Sequence, residues 1–130
     1  MRRNGKHKPD LSPQRFLLNA KETLSKSGIE YGLYTDAKYV AEASGIAYLA
    51  AIKAIIEYAR TKGFLKGERP KSYEGVSHLI EKFPQRNKLH AKFKIVYDLL
   101  HVGGYYNQFT EVLVIKKGLQ EANEIIRMLN

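Results

Sequence analysis

The sequence predicts an all-α protein, folded as an antiparallel up-and-down helical bundle of four long helices and one short helix. Apolar residues recur every three or four positions in five segments. Short links that contain glycine or proline separate these segments, and short links favour antiparallel neighbours. No stretch alternates between polar and apolar residues for long enough to predict a strand. The 130 residues are enough for one domain with its own core.

We assign residues 10–130 to this domain and expect residues 1–9, which include four basic residues and no acid, to form a disordered basic tail. The first helix begins with Ser12 as its cap and Pro13 in its first turn, where the missing N–H of proline breaks no hydrogen bond. This helix ends before Gly28, and a short link follows.

The second helix is predicted to be central because its apolar arc is the broadest. It runs from Thr35 or Asp36 to about Lys62, and Gly63 is its stop. Small residues dominate the arc, so that a neighbouring helix can approach closely. We therefore expect this helix to carry most of the core contacts.

Caps and helix breakers delimit the other three helices. Ser72 caps the short third helix, which Pro84 stops. The fourth helix covers about residues 85–102 and ends at a Gly-Gly pair. Thr110 is the expected cap of the fifth helix.

The net charge of +9 is concentrated in two parts of the chain. One is the N-terminal tail, and the other is residues 60–94, where ten lysines and arginines face three glutamates. Clustered basic residues bind phosphate groups by releasing counterions, so this pattern indicates a nucleic-acid partner. A solvated basic surface is the alternative interpretation.

The start of the fourth helix carries the residues with the most specific chemistry. Arg86 and His90 are four positions apart, so their side chains lie on one helix face. An arginine can hold the non-bridging oxygens of a phosphate diester, and a histidine can move a proton between the 2′-hydroxyl and the leaving 5′-oxygen. Arg86 and His90 are therefore candidate catalytic residues. In the alternative, Arg86 solvates the helix start and His90 edges the core.

Other residues of the fourth helix extend this surface. Tyr97 and His101 lie within about 60° of the candidate catalytic pair on a helical wheel. The candidate nucleic-acid-binding residues are Lys88, Lys94, Tyr97 and His101. After the Gly-Gly pair, Tyr105, Tyr106 and Phe109 either stack on unpaired bases or seal the end of the bundle or a dimer contact.

With these features the chain resembles the HEPN superfamily, small helical-bundle proteins often found in prokaryotic defence and toxin–antitoxin systems. The resemblance covers most of residues 12–130 and rests on the alanine- and tyrosine-rich residues 39–54 and on Arg86-Asn87 followed by His90. Many members are metal-independent endoribonucleases, with an arginine, a polar residue and then a histidine after four to six intervening positions. Here only three residues intervene, and this departure from the family's spacing implies a degenerate catalytic site. Family members that have lost activity serve as binding or scaffold domains.

The resemblance also implies a homodimer, since two copies of the family's motif face each other across a dimer. Two apolar flanks beyond the core-facing arcs are consistent with such a contact. They consist of Leu49 and Ile56 on the second helix and Ile95, Leu99 and Val102 on the fourth. The alternative is a thicker bundle in which both flanks face sister helices.

We expect no metal and no cofactor. The chain has no cysteine, and His90 and His101, which share a helix face, are about 16 Å apart along its axis. No apolar run approaches the ~18 residues that span a bilayer, and the basic N-terminus lacks the apolar segment of a signal peptide. We expect a bacterial, cytoplasmic protein without membrane contact.

Two classes of function remain open. The charge cluster favours an RNA-binding protein or a degenerate metal-independent endoribonuclease. The imperfect motif favours a non-enzymatic protein-interaction module. Such a module would include one half of a two-component, toxin–antitoxin-like system whose partner covers the basic face.

Overall fold

The structure of the chain, a computed structural model, describes residues 9–130, and this part is mainly helical. In chain order the elements are α1 (Pro13–Leu24), β1 (Ile29–Glu30), β2 (Leu33–Tyr34), α2 (Ala37–Thr61), α3 (Tyr73–Ile80), α4 (Arg86–Val96), a π-helical segment (Tyr97–Tyr106) and α5 (Val112–Leu129). Apart from Pro9, the predicted disordered tail lies outside the described residues.

Three of the predicted helix starts are confirmed by their capping hydrogen bonds. The side chains of Ser12, Asp36 and Ser72 each accept a hydrogen bond from a backbone N–H two or three residues later, at 3.1, 3.1 and 2.9 Å. The predicted cap Thr110 is wrong, because α5 starts one residue later with Glu111 at the cap position and no side-chain capping bond. The start of the fifth helix is instead held by backbone hydrogen bonds to another part of the chain.

Those contacts come from a short β-hairpin between α1 and α2, where the sequence predicted only a link. Two-residue strands are too short to show alternation, so no strand was expected. The turn residues Tyr31 and Gly32 have φ of 54° and 75°, as a two-residue turn with both central residues at positive φ requires. The backbone N–H of Tyr34 donates to the carbonyl of Thr110 at 2.8 Å, and that of Val112 donates to the carbonyl of Gly32 at 3.1 Å. The hairpin thus fixes the beginning of α5.

Helix α2 carries most of the core, as its alanine-rich arc predicts. It packs against α1, α5 and the π-helical segment. Its fully buried small residues include Ala43, Ala47, Ala50, Ala51 and Ala59. Within residues 9–130, α2 is also the one helix long and apolar enough to cross a membrane by length and composition, although 56% of that window is buried inside the protein.

The predicted break at the Gly-Gly pair is wrong. The helical chain continues past Val96 as the π-helical segment, and Gly103 and Gly104 are buried inside it. A Cβ atom on Gly104 would lie 2.0 Å from Oγ of Ser44 in α2, so the two backbones meet at this point. The pair therefore serves close packing rather than chain reversal. Segments of π-helix are rare and occur frequently at functional sites.

Candidate nucleic-acid interface

Aromatic side chains from α2, α3 and the π-helical segment stack on one surface of the protein. The ring of Tyr73 lies 4.1 Å from that of Tyr97, and Tyr97 lies 5.3 Å from His101. His101 in turn stacks on Tyr48 at 4.6 Å with an angle of 25° between the planes. We call this set the aromatic ladder and define it as Tyr48, Tyr73, Tyr97, His101, Tyr105 and Tyr106.

The π-helical geometry brings together three residues of the aromatic ladder, His101, Tyr105 and Tyr106. Hydrogen bonds from residue i to i+5 widen each turn, so side chains four or five positions apart lie above one another. His101 accordingly stacks on Tyr105 at 6.0 Å and meets the edge of Tyr106 at 5.0 Å. Gly45 of α2 leaves room for this arrangement, since a Cβ there would lie 3.3 Å from the ring of Tyr105.

Part of the aromatic ladder faces solvent. Tyr105 and Tyr106 are 48% and 68% exposed, and the other four rings are half-buried. Within one chain, Tyr105 and Tyr106 are therefore only partly covered by the rest of the protein. Their exposed ring surface is available for stacking.

Burial favours the uncharged forms of two ladder residues, Tyr48 and His101. Burial, followed by the neighbouring tyrosines and Glu74, raises the pKa of Tyr48 to about 12, while Arg69 acts in the opposite direction. Burial lowers the pKa of His101 below its usual value of 6.5. Neutral rings stack on bases without paying for the removal of water from a charge.

Basic side chains lie beside the aromatic ladder on the side of Tyr48 and Tyr73. The basic loop, which we define as residues 62–71, leads directly into Tyr73, and Arg69 from this loop acts electrostatically on Tyr48. Of the ten lysines and arginines in residues 60–94, Lys92 and Lys94 form ion pairs with carboxylates. The other eight form none with any carboxylate of residues 9–130, and residues 1–8 contain no acid. Three of these eight, Arg60, Arg69 and Lys82, donate hydrogen bonds to backbone carbonyls, but none of the eight has its charge neutralised by a carboxylate of the described residues.

The residues that the sequence predicted to form one surface on the fourth helix lie in separate surroundings in the structure. Arg86 and Lys88 are exposed in the first turn of α4, and Lys94 bonds Asp98 at 3.0 Å. His90 is half-buried, with its Nε2 atom 2.5 Å from Oε2 of Glu81.

Helix α3 accounts for this separation, because residues at its start and just after its end contact different parts of α4 and of the π-helical segment. Tyr73, at the start of α3, stacks on Phe93 and Tyr97, and Glu81, just after its end, binds His90. Tyr97 and His101 therefore belong to the aromatic ladder, whereas His90 belongs to a separate pair.

Sequence reasoning missed Tyr48 and Tyr73 as site residues, and it counted Arg69 only as one member of the basic cluster. Their convergence depends on how α2 and α3 pack beside α4, which no local pattern encodes. A signal did exist for the rest of the aromatic ladder, since Tyr97, His101 and Tyr105 recur every four residues. The assumption that the helix stopped at the Gly-Gly pair concealed it.

Two further predicted features can be placed. Ile56 is only 7% exposed and is already buried within the chain, so it cannot form the predicted subunit contact. The other flank residues keep some exposed surface, with Leu49 at 37% and Ile95, Leu99 and Val102 half-buried. Within the described part of the chain, no three His, Asp or Glu side chains converge as a metal ion would require.

Comparisons with known proteins place the chain in a family. A solved structure of a protein of unknown function from Dyadobacter fermentans is similar, with a TM-score of 0.78 and 30% sequence identity over 92% of this chain and 91% of that chain. No curated protein gives a significant match. The model of the family described as a domain of unknown function, DUF5618, matches residues 11–130. Because that match covers nearly the whole chain, the protein belongs to the DUF5618 family.

Proposed function

We propose that this protein binds single-stranded RNA through the aromatic ladder and the basic loop, without cleaving it. The observation that carries the proposal is the continuous set of stacked, partly exposed rings next to basic residues. Proteins that bind single strands combine these two elements, and each base stacked on an aromatic side chain contributes roughly 1–3 kcal/mol.

The charge distribution supports the same proposal. Lys66 and Lys71 are exposed in the basic loop, and Lys88 is exposed in the first turn of α4. Each phosphate that such residues neutralise releases counterions, and this term is independent of base sequence. We therefore expect tight binding at low salt with little sequence preference.

The surroundings of His90 support binding without cleavage. Its Nε2 atom is bound to Glu81, and the rings that would hold the bases lie around Tyr97, two turns along the helix. The family resemblance suggested Arg86 and His90 as a degenerate catalytic pair with three intervening residues. We accordingly propose an HEPN-like binding domain rather than an active endoribonuclease, with RNA as the preferred nucleic acid because of that resemblance.

The scaffold that we propose for this interface is an antiparallel up-and-down bundle. It is supported by the contacts of α2 with α1, α5 and the π-helical segment. It is also supported by the hydrogen bond at 3.4 Å from Gln14, near the start of α1, to Asn130, just after the end of α5. A cytoplasmic homodimer remains part of the proposal, with Leu49 or the flank Ile95, Leu99 and Val102 at the contact.

A protein-interaction module is the second candidate, and the hairpin end of the molecule favours it. Exposed apolar side chains gather there, with Tyr31 99% exposed and Leu113 84% exposed. Ile29 and Leu33 are 52% and 43% exposed on the same hairpin. A partner protein, such as the second half of a toxin–antitoxin-like pair, would cover this surface.

The proposal is tested by fluorescence anisotropy with a labelled single-stranded RNA of 12 nucleotides at low salt. We expect Tyr97→Ala and Tyr106→Ala each to weaken binding about tenfold, because each removes one stacking platform. Tyr31→Ala is the matched control, since it removes an equally large exposed ring outside the aromatic ladder and should leave binding unchanged.

The same assay contains the outcomes that would contradict the proposal. Absence of binding at micromolar protein would eliminate the RNA function and leave the protein-interaction module. Cleavage of the RNA in the presence of a chelator, abolished by His90→Ala, would instead show an active metal-independent endoribonuclease. We expect His90→Ala to bind like the wild type, with no cleavage by either protein.

A further inference from the structure

A groove of about 610 Å³ lies on another part of the surface, away from the aromatic ladder. It is formed between α1 and α5, and the β-hairpin supplies further wall residues. Both helices pack against α2, and the groove is the space that remains between α1 and α5. Its volume lies within the roughly 300–1,000 Å³ of pockets that hold small molecules.

The floor of the groove is apolar. Leu24, Tyr34 and Leu119 line it, and each is no more than 7% exposed. Ile29 adds an exposed apolar side chain at the hairpin. An apolar ligand body on this floor would remove from water chiefly its own surface and the exposed surface of Ile29, with the corresponding gain in hydrophobic free energy.

The rim of the groove is polar and positively charged. Lys21 reaches it from α1 and Lys116 from α5, and both are exposed. Neither lysine forms an ion pair with a carboxylate in residues 9–130, and none of the ten lining residues is acidic. The charge at the rim therefore complements an anionic group.

We propose that this groove binds a small amphipathic anion. Its apolar body would lie on Leu24, Tyr34 and Leu119, and its head group would meet Lys21 and Lys116. A carboxylate and a phosphate monoester both fit this chemistry, since each is a compact anion that a lysine ammonium binds. The site is independent of RNA binding, because it shares no residue with the aromatic ladder or the basic loop.

Isothermal titration calorimetry with the full chain tests the site. The ligands are decanoate and decyl phosphate, each below its micelle-forming concentration, and decanol, below its solubility limit. We expect at least one anion to bind more tightly than the alcohol, and the tighter anion identifies the head group as carboxylate or phosphate. The double variant Lys21→Ala/Lys116→Ala should weaken anion binding about tenfold and leave decanol unaffected.

Two more variants complete the test. Leu119→Trp should abolish binding of all three ligands by filling the groove, and its thermal unfolding shows whether it is folded. Lys66→Ala/Lys71→Ala, which removes two exposed lysines elsewhere, should bind the anions like the wild type. The lysine variants are at exposed positions, so they remain informative if Leu119→Trp does not fold.

Four outcomes would overturn the proposal. One is that neither anion binds at millimolar concentration. A second is that the anions bind no more tightly than decanol, and a third is that Lys21→Ala/Lys116→Ala binds them unchanged. The fourth is that folded Leu119→Trp changes the oligomeric mass measured by light scattering while decanoate still binds, which would assign the groove to a second copy of the chain.

Discussion

At Gly104 a single hydrogen atom in place of a side chain decides how two helices meet. A Cβ atom there would approach Ser44 to 2.0 Å at Oγ and 2.6 Å at Cβ, and would lie 3.2 Å from Ile115. Ser44 is itself fully buried, and its hydroxyl has no hydrogen-bond partner among the described residues. The contact is therefore tight and contains little that could move aside.

We expect Gly104→Ala to destabilise the protein by about 1–3 kcal/mol, since an added methyl group forces apart a packed contact. The measurement is the free energy of unfolding by urea denaturation. Gly67→Ala is the matched control, because a Cβ at Gly67 meets nothing within 4 Å. Equal stability of both variants would show that α2 and the π-helical segment are not in this close contact.

At the scale of single elements, α4 is bound to α5 by ion pairs, and the π-helical segment that follows it carries most of the aromatic ladder. Lys92 of α4 bonds Glu121 and Glu124 of α5, at 3.3 and 2.5 Å, and Glu121 is only 5% exposed. Lys117 bonds the other carboxylate oxygen of Glu121 at 2.9 Å, so the buried charge is satisfied from two sides. One face of α4 is thus tied to α5, while the π-helical segment presents its rings on the aromatic ladder.

His101 makes the stability of this element dependent on pH. Burial lowers its pKa in the folded chain, so on acidification the unfolded chain takes up the proton first. Its contribution to stability is complete above pH 6.5 and is lost as the pH falls towards the lowered pKa of the folded state. The groups that face His101 are the rings of Tyr48, Tyr97, Tyr105 and Tyr106.

We expect His101→Phe, which keeps a stacking ring, to lose less stability than the wild type between pH 7 and pH 5. Denaturant titrations at both pH values measure this difference. Tyr97→Phe keeps His101 and a neighbouring ring, so it should show the pH dependence of the wild type. An equal loss in His101→Phe and the wild type would mean that His101 is solvated and outside the stack.

At the scale of the whole molecule, charge and apolar surface are separated. The basic loop lies between α2 and α3, next to the aromatic ladder. The hairpin, residues 29–34, and the π-helical segment with its following loop, residues 97–111, contain no lysine or arginine. A polyanion would therefore approach from the basic loop and extend along the aromatic ladder.

We expect the RNA affinity to fall with salt along a straight line in a double-logarithmic plot. Lys66→Ala/Lys71→Ala should reduce the slope by about 1–2, since each lysine accounts for about one phosphate contact. Anisotropy titrations at several salt concentrations give both slopes. Lys21→Ala/Lys116→Ala carries the same loss of charge outside this surface and should retain the wild-type slope, whereas equal slopes for all three proteins would place the phosphates elsewhere.

Features that depend on neighbouring residues could be predicted from the amino-acid sequence. The caps at Ser12, Asp36 and Ser72, the alanine-rich core helix and the basic cluster all follow from interactions within a few positions. Tertiary structure decided the rest. The Gly-Gly pair became a helix contact because Ser44 lies opposite it, and His90 binds Glu81 because α3 packs beside α4. The aromatic ladder likewise exists only where separate helices meet, and the positions of those helices depend on long-range packing that no local pattern specifies.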